Sequence, residues 1–188
     1  MNTPLLTALL DLASGRLQPS AVSHSRRLSD LRGYFGDPQA EARLIAAGDP
    51  LLYTYAEVAI PEEHGHLACG PTTIRPGRVG DEYFMTRGHF HAREDASEVY
   101  LVLRGEGRLV VERRDGTAEV LELRPGGIAY TPPGYAHRTV NVGDEELVFF
   151  AVWPADAGHD YASIREHGFG LRVVERGGRP EVVPGRRG

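Results

Sequence analysis

The sequence predicts an all-β protein, built as an antiparallel sandwich or barrel, because its central part is a succession of short strand-like segments. These segments are rich in β-branched and aromatic residues. Turn-forming sequences separate them, for example Arg-Pro-Gly at 75–77, Arg-Asp-Gly at 114–116 and Pro-Gly-Gly at 125–127. No amphipathic helical pattern lies between them, so the spacing favours antiparallel strands over alternating strands and helices.

The predicted strands have this composition in common, and they follow one another from Leu51 to Val152. They cover residues 51–60, 72–74, 82–85, 88–91, 98–103, 108–113, 118–123, 128–130, 137–141 and 147–152. We expect a single domain over residues 1–188. In it, residues 1–50 form an N-terminal arm and helix, 51–176 form the barrel, and 177–188 form a flexible tail rich in Gly, Pro and Arg.

The N-terminal part carries the signals of one short helix. Asp37 is suited to the N-cap, Pro38 to the first helical position, and Gly48 to the exit after residues 39–47. Residues 26–35 are ambiguous, and we interpret them as an extended arm that packs on the barrel or on a partner chain.

The charged residues exclude several functional classes. The chain has 188 residues and a formal net charge of −5, which argues against a broad nucleic-acid-binding surface. All 21 basic residues are arginine. The absence of lysine excludes a lysine Schiff base and a Walker-type phosphate loop. A bound phosphate would have to be held by Arg, His, Thr, Tyr and backbone N–H groups.

Two features predict a cytoplasmic protein that does not bind membranes. The one cysteine, Cys69, cannot form an intramolecular disulfide, and its Leu-Ala-Cys-Gly-Pro setting predicts a buried small hydrophobic residue rather than a nucleophile. The apolar N-terminal run lacks a basic region and is interrupted by Asp11, so it is a poor signal peptide. No apolar stretch approaches the ~18 residues that span a bilayer.

Three histidines and a glutamate have the spacing of a metal site. His89 and His91 stand at i and i+2, so in a strand both imidazoles emerge from the same face. Glu98 opens the next strand, and His137 follows the rigid turn at 131–136. This mixed N/O donor set suits Fe²⁺, Mn²⁺, Ni²⁺ or Zn²⁺, and a six-coordinate ion would keep two positions for substrate or water.

The same residues resemble the two motifs of the cupin superfamily. The second motif, G-x5-P-x-G-x2-H-x3-N, is complete in Gly126, Pro132, Gly134, His137 and Asn141. The first is recognisable in His89, His91, Glu98 and Gly105, with a longer spacing before Glu98 and Tyr83 in place of the leading Gly. The resemblance implies a cupin barrel, also called a double-stranded β-helix or jelly roll, with a short N-terminal helical extension.

Longer segments resemble the cupin-type glucose-6-phosphate isomerases. They are residues 86–92, residues 130–141 without the turn at 134–135, and Pro-Ala-Asp-Ala-Gly-His-Asp-Tyr at 154–161. The resemblance implies a dimeric enzyme that uses one divalent metal ion, commonly iron, to interconvert glucose 6-phosphate and fructose 6-phosphate. It assigns the metal to His89, His91, Glu98 and His137, the substrate to Thr72, Thr86, Gly88, Tyr100, His159 and Tyr161, and proton handling to Glu98, His137 and Tyr100.

Several alternatives stay open on sequence alone. Cupin barrels host many reactions, so another metal-dependent enzyme, such as a dioxygenase or a different sugar-phosphate isomerase, competes with this interpretation, as does a non-catalytic sugar-binding module. Arg87 is either a phosphate ligand or a solvated arginine at a strand edge. Trp153 stands where the family often has tyrosine, which moves the polar group of that aromatic wall. His64 and His66 repeat the His-x-His spacing without later partners and are expected in a polar loop.

Overall fold

A computed structural model describes residues 5–19 and 22–185 and consists mainly of β-strands. The N-terminal part contains strands β1 (Leu9–Leu10), β2 (Leu17–Gln18) and β3 (Val22–Arg27), a 3₁₀ helix at Leu28–Leu31, and helix α1 (Pro38–Ala46). The central strands are β4 (Leu51–Glu57), β5 (Leu67–Ile74), β6 (Arg78–Val79), β7 (Glu82–Tyr83), β8 (Glu98–Arg104), β9 (Gly107–Arg113), β10 (Ala118–Leu123), β11 (Ile128–Thr131), β12 (Tyr135–Asn141) and β13 (Leu147–Pro154). Helix α2 (Ala162–His167) and strands β14 (Leu171–Arg176) and β15 (Arg179–Pro184) complete the described chain.

Two antiparallel sheets enclose the main core and form the cupin barrel that the sequence predicts. One has the strand order β11-β8-β13-β5-β4-β3, and the other has the order β10-β9-β12. Tyr100 and Phe149 of the first sheet share one buried cluster with Leu109 and Val140 of the second. Strands β15, β14, β7 and β6 form a smaller sheet, and β1 pairs with β2.

The alternation of side chains along β8 shows how the barrel is built. Glu98, Tyr100 and Val102 are buried, whereas Val99 and Leu101 between them are exposed. Successive residues of a strand point to opposite faces, so a single strand supplies both the apolar packing and the polar Glu98 to the interior.

Helix α1 has the predicted N-terminus. The Asp37 carboxylate accepts hydrogen bonds from the backbone N–H groups of Gln39 and Ala40, at 3.0 and 2.9 Å, and Pro38 is the first helical residue. Gly48 has the predicted positive φ, at 138°, and Asp49 follows it with φ 50°.

The N-terminal arm differs from the extended segment that the sequence suggested. Residues 22–27 form β3, which pairs with β4 of the same chain, and residues 28–31 are a 3₁₀ helix rather than extended backbone. Leu28, Leu31 and Phe35 are buried in the main core. These apolar side chains explain the turn inward, because burying them requires the chain to leave the sheet edge after Arg27.

Two further segments differ from their predicted structure. Residues 88–91 were predicted as a strand, but only single bridges form there, at His89 and Phe90. Residues 179–184 were assigned to a flexible tail, yet they form β15, which pairs antiparallel with β14 along its whole length. The last residues of that tail, 186–188, lie outside the described residues. In the part of the chain that is described, no helix is long and apolar enough to cross a membrane.

Candidate metal centre and substrate cavity

Backbone pairing brings two of the predicted metal ligands to the same face. His89 and His137 are opposite each other in an antiparallel bridge, in which each N–H donates to the other's carbonyl oxygen at 3.3 and 3.0 Å. Gly88 precedes this bridge with φ 74°, in the left-handed region. Directly paired residues of an antiparallel bridge project to one side of the sheet. The two imidazole centroids are therefore only 4.5 Å apart.

All four predicted metal ligands converge. One donor atom from each of His89, His91, Glu98 and His137 lies within 4.8 Å of every other. The Nε2 atoms of His91 and His137 are each 3.2 Å from the same Glu98 carboxylate oxygen. Glu98 is 7% exposed and His137 is 4% exposed, so the cluster is shielded from bulk water. Such buried polar groups need a partner to offset their desolvation.

The imidazole nitrogens of the three histidines are arranged to bind a cation rather than to form hydrogen bonds with one another. His91 Nδ1 lies 3.3 Å from the Ala96 carbonyl oxygen, which can accept its proton when Nε2 supplies the lone pair to a cation. His89 Nε2 and both ring nitrogens of His137 are buried without a hydrogen-bond partner among the described residues. His137 Nε2 is close to Glu98 but lacks hydrogen-bond geometry. Unpaired imidazole nitrogens around a carboxylate match the donor chemistry of a divalent transition-metal site.

The protonation states of the cluster also suit metal ligation. Burial alone would raise the pKa of Glu98, but the rings of His137 and His91 outweigh burial and hold the pKa well below its usual range. Burial, reinforced by His137 and His159, lowers the pKa of His89 well below its usual value. The cluster at neutral pH therefore contains an ionised carboxylate and a neutral His89, as metal ligands require.

Tyr100 lies at the metal end of the cavity. It is 2% exposed, its ring centroid is 5.9 Å from that of His137, and its hydroxyl faces the Glu98 carboxylate. Burial, followed by the negative charge of Glu98, raises the pKa of Tyr100 well above its ordinary value. The phenol therefore stays protonated at neutral pH and acts as a hydrogen-bond donor.

A cavity of about 290 Å³ opens beside the cluster. Its walls include His89, Glu98 and His137 of the cluster, whereas the buried His91 is not part of the lining. The six residues assigned to the substrate by resemblance all line it: Thr72, Thr86, Gly88, Tyr100, His159 and Tyr161. Strand alternation alone would put only one of Thr86 and Arg87 on this face, yet both line the cavity. They directly precede Gly88, whose positive φ interrupts the extended backbone.

Three polar side chains of this cavity are placed to contact a ligand. The Thr86 hydroxyl oxygen accepts a hydrogen bond from the Thr139 backbone N–H at 3.1 Å, which leaves its hydrogen to donate. The rings of His159 and Tyr161 stack at 5.4 Å with an interplanar angle of 3°. Both residues line the cavity and are exposed, so they lie at its rim.

Sequence reasoning missed several cavity residues on one side. Arg26, Tyr53, Tyr55, Glu57 and Thr139 line the cavity, and none was assigned a role. Strands β3 and β4 carry the first four, and their pairing brings Arg26 opposite Tyr53. The alternating Tyr53 and Tyr55 were a usable signal, since both face one side of a strand. Arg26 gave none, because its own strand, β3, was not predicted.

The remaining histidines lie outside the cluster. The His64 side chain is 88% exposed and contacts Asp156 at 3.3 Å, in the polar loop that the sequence predicted. The His24 ring packs 4.9 Å from Tyr55. Trp153 lines the cavity, so the aromatic wall predicted there is present. Cys69 is only partly buried, and burial raises the pKa of its thiol.

Comparisons with known proteins identify relatives along nearly the whole chain. The family described as glucose-6-phosphate isomerase matches residues 25–183. The chain is similar to the glucose-6-phosphate isomerase of Thermococcus litoralis, at 44% identity over 92% of this chain and 90% of the relative. It is also similar to that of Pyrococcus furiosus, at 43% identity over 95% of this chain and 94% of the relative. An oxalate decarboxylase structure from Bacillus subtilis has a TM-score of 0.45 and 23% identity, over 57% of this chain and 26% of that chain. From the family match and the two isomerases, the chain belongs to the cupin-type glucose-6-phosphate isomerase family.

Proposed function

We propose that this enzyme interconverts glucose 6-phosphate and fructose 6-phosphate through an enediolate, with one divalent metal ion held by His89, His91, Glu98 and His137. The observation that carries the proposal is the convergence of these four side chains, three of which line a cavity that also carries hydroxyl, imidazole and guanidinium groups. The family relationship supports the choice of an isomerase over a dioxygenase or a sugar-binding module.

A bound divalent cation supplies Lewis-acid stabilisation of the negative charge that develops on the sugar oxygens. We propose Fe²⁺ as the resident ion, while the donor set also suits Mn²⁺, Ni²⁺ and Zn²⁺. The buried nitrogens of His89 and His137 that lack protein partners support a site built for such an ion. Ala96 contributes indirectly, since its carbonyl oxygen orients the His91 ring.

Glu98 is the proposed base that moves the proton between C2 and C1 of the open-chain sugar. Its carboxylate is the group shared by both imidazoles, and its low pKa makes it a weak base in the resting site. Tyr100 and His137 therefore share the proton handling, including ring opening. The hydroxyl of Tyr100 faces Glu98 and remains protonated, so it is available to donate a hydrogen bond to Glu98 or to a sugar oxygen while the proton is moved.

The rest of the cavity is proposed to hold the sugar phosphate. Thr72, Thr86, the Gly88 backbone, His159 and Tyr161 are the proposed phosphate and sugar contacts. The free hydroxyl hydrogen of Thr86 and the position of His159 and Tyr161 at the rim support this assignment. These donors are neutral or weakly basic, as expected in a chain without lysine.

One experiment tests the activity and its metal dependence together. The purified chain is analysed for metal content and assayed anaerobically for conversion of fructose 6-phosphate to glucose 6-phosphate, before and after chelation. Loss of activity on chelation and recovery with Fe²⁺ or Mn²⁺ supports the proposal. A metal-loaded protein that leaves hexose phosphates unchanged but consumes oxygen with another substrate would point to a dioxygenase.

We also propose that the enzyme is a cytoplasmic homodimer. The leucines Leu5, Leu9 and Leu12 at the N-terminal end are exposed, and an apolar surface of this kind is typical of an interface. Size-exclusion chromatography with light scattering tests the dimer, and a monomeric mass across the micromolar range would contradict it.

A further inference from the structure

Two arginines from distant parts of the chain line the substrate cavity together. Arg26 lies on β3 and Arg87 directly precedes Gly88, and both belong to the cavity wall. Arg26 reaches the cavity because β3 pairs with the edge of the sheet formed by β4 and β5. The N-terminal strand thus extends the barrel wall and brings a cation to it.

Among the described residues, the Arg26 guanidinium contacts Tyr55 and the Ser25 carbonyl oxygen. The Arg87 guanidinium contacts the Asp30 carbonyl oxygen and the rings of Tyr34 and Tyr161, so neither arginine forms an ion pair with a carboxylate there. Most of the other described arginines form ion pairs with carboxylates, namely Arg75, Arg78, Arg93, Arg104, Arg108, Arg113, Arg114, Arg124, Arg172 and Arg176. The protein therefore keeps two cations uncompensated on a surface where an anionic ligand is proposed to bind. A half-buried guanidinium without a counter-ion is costly unless a ligand supplies one.

Three tyrosines hold these guanidiniums in position. Arg26 lies over the Tyr55 ring at 5.5 Å and donates to its hydroxyl at 3.2 Å. Arg87 lies over the Tyr161 ring at 5.1 Å. The Tyr53 ring stacks with Tyr55 at 6.4 Å, and its hydroxyl interacts with the Arg87 backbone N–H. Cation–π contact orients a guanidinium without neutralising it, so its charge stays available to a ligand.

Arg87 also has a hydrogen-bond donor, its Nε–H, that no described residue accepts. Its Nη2 donates to the Asp30 carbonyl oxygen at 2.9 Å, but its buried Nε has no hydrogen-bond partner among the described residues. A buried N–H without an acceptor is rare, because it forfeits the hydration it had in water. Here the missing acceptor is explained if a ligand oxygen occupies the cavity next to Arg87.

We propose that Arg26 and Arg87 together supply the positive charge that binds the phosphate dianion of the substrate, with Tyr53, Tyr55 and Tyr161 as their frame. This inference rests on the proposed sugar-phosphate isomerase function and adds to it a cationic subsite in the wall of the same cavity. Arginine suits this role because its planar fork pairs with two phosphate oxygens. Burial raises the pKa of Tyr161 to about 12, so this phenol stays protonated and adds a further donor.

The test compares phosphorylated and unphosphorylated substrate in matched variants. Arg26→Met and Arg87→Met remove the charge and keep most of the side-chain volume, Arg26→Lys restores a charge, and Arg43→Met removes one exposed charge from helix α1. For each metal-loaded enzyme, kcat/KM is measured with fructose 6-phosphate and with fructose. Binding of inorganic phosphate is measured in parallel by calorimetry.

We expect each Met variant to lose about 10- to 100-fold in kcat/KM for fructose 6-phosphate, mainly through KM, and to retain its rate with fructose. Arg26→Lys recovers part of the loss, and Arg43→Met behaves like the wild type. Equal losses with both substrates, or unchanged KM and phosphate affinity, would overturn the inference. If the wild type fails to isomerise hexose phosphates, the proposed function is wrong. The subsite is then tested by calorimetry alone: phosphate binding that is lost in the Arg26→Met and Arg87→Met variants supports it, and binding that is unchanged contradicts it.

Discussion

His89 and His137 are joined by two backbone hydrogen bonds in a single antiparallel bridge, which sets their imidazoles side by side. The bridge links the loop-like segment after Gly88 to strand β12. It therefore couples the geometry of the candidate metal centre to backbone pairing rather than to side-chain packing alone. A site positioned by the backbone is expected to be preorganised, because the ligand rings need little reordering when a cation binds.

His137→Ala is expected to lose metal and activity together. It removes an imidazole whose nitrogens face the cluster, and we expect activity to fall by more than about 100-fold with a parallel loss of bound metal. Metal analysis and fructose 6-phosphate turnover on the same preparation measure both quantities. His64→Ala is the matched control, because His64 is exposed and lies outside the cluster. An inactive His137→Ala that still binds one full equivalent of metal would contradict the assignment of this residue as a ligand.

Glu98→Gln is expected to separate ligation from proton transfer. Glutamine keeps the shape and one oxygen donor but cannot accept a proton, so we expect part of the metal to remain while kcat falls by about 100- to 10,000-fold. Metal content and kcat with fructose 6-phosphate are the measurements. Turnover that scales only with bound metal would limit Glu98 to ligation.

The isotope content of the product tests the proton path itself. With the wild-type enzyme in D₂O, proton transfer by Glu98 is expected to introduce solvent deuterium at the carbon that receives the proton. Product without deuterium would favour an intramolecular hydride shift between C2 and C1.

Local sequence rules predicted the barrel strands and the metal cluster well. Glu98, Tyr100 and Val102 alternate along β8 and share its buried face, a side-chain periodicity that the sequence displays directly. The His-x-His spacing pointed to His89 and His91, which do converge, although residues 88–91 form single bridges rather than the strand on which that prediction relied.

The same rules were less successful where structure depends on distant pairing. Strand β3 exists because β4 offers it an edge, and β15 exists because β14 does, so neither segment showed a local signal strong enough to identify it. Arg26 entered the cavity with β3 and was missed for this reason. The sequence also could not predict that Thr86 and Arg87 line the same cavity. Strand alternation places neighbouring residues on opposite faces, and this alternation is broken at Gly88, which has a positive φ.

Gly88→Ala is expected to destabilise the protein and weaken the metal centre. Its φ of 74° costs an alanine about 1–2 kcal/mol, and a Cβ there would lie 2.7 Å from the Phe169 ring and 3.0 Å from the His137 carbonyl oxygen. That oxygen accepts the His89 N–H, so relief of the clash would disturb the bridge. Gly126→Ala is the control, since it has φ 80° with nothing within 4 Å. Chemical denaturation and metal titration of both variants measure the difference, and equal effects would mean that backbone strain alone is responsible.

Arg138→Met tests whether a buried cation behind the site holds the segment that carries Gly88 and His89. Arg138 is 5% exposed, donates to the Arg87 carbonyl oxygen through Nε and Nη2 at 3.3 and 2.8 Å, and lies over the Phe169 ring at 4.5 Å. Burial lowers its pKa to about 10, so it remains charged at neutral pH. Loss of both hydrogen bonds leaves the Arg87 carbonyl oxygen without this donor, and we expect the free energy of unfolding to fall by about 1–3 kcal/mol.

The functional consequence of Arg138→Met should exceed its effect on stability. Because the Arg87–Gly88 peptide then loses its anchor, we expect KM for fructose 6-phosphate to rise and metal affinity to fall under conditions where circular dichroism shows the variant fully folded. Arg138→Lys keeps the charge but lacks the planar fork, so we expect only partial recovery. A folded Arg138→Met variant with wild-type KM and metal affinity would show that this guanidinium stabilises the barrel without positioning the site.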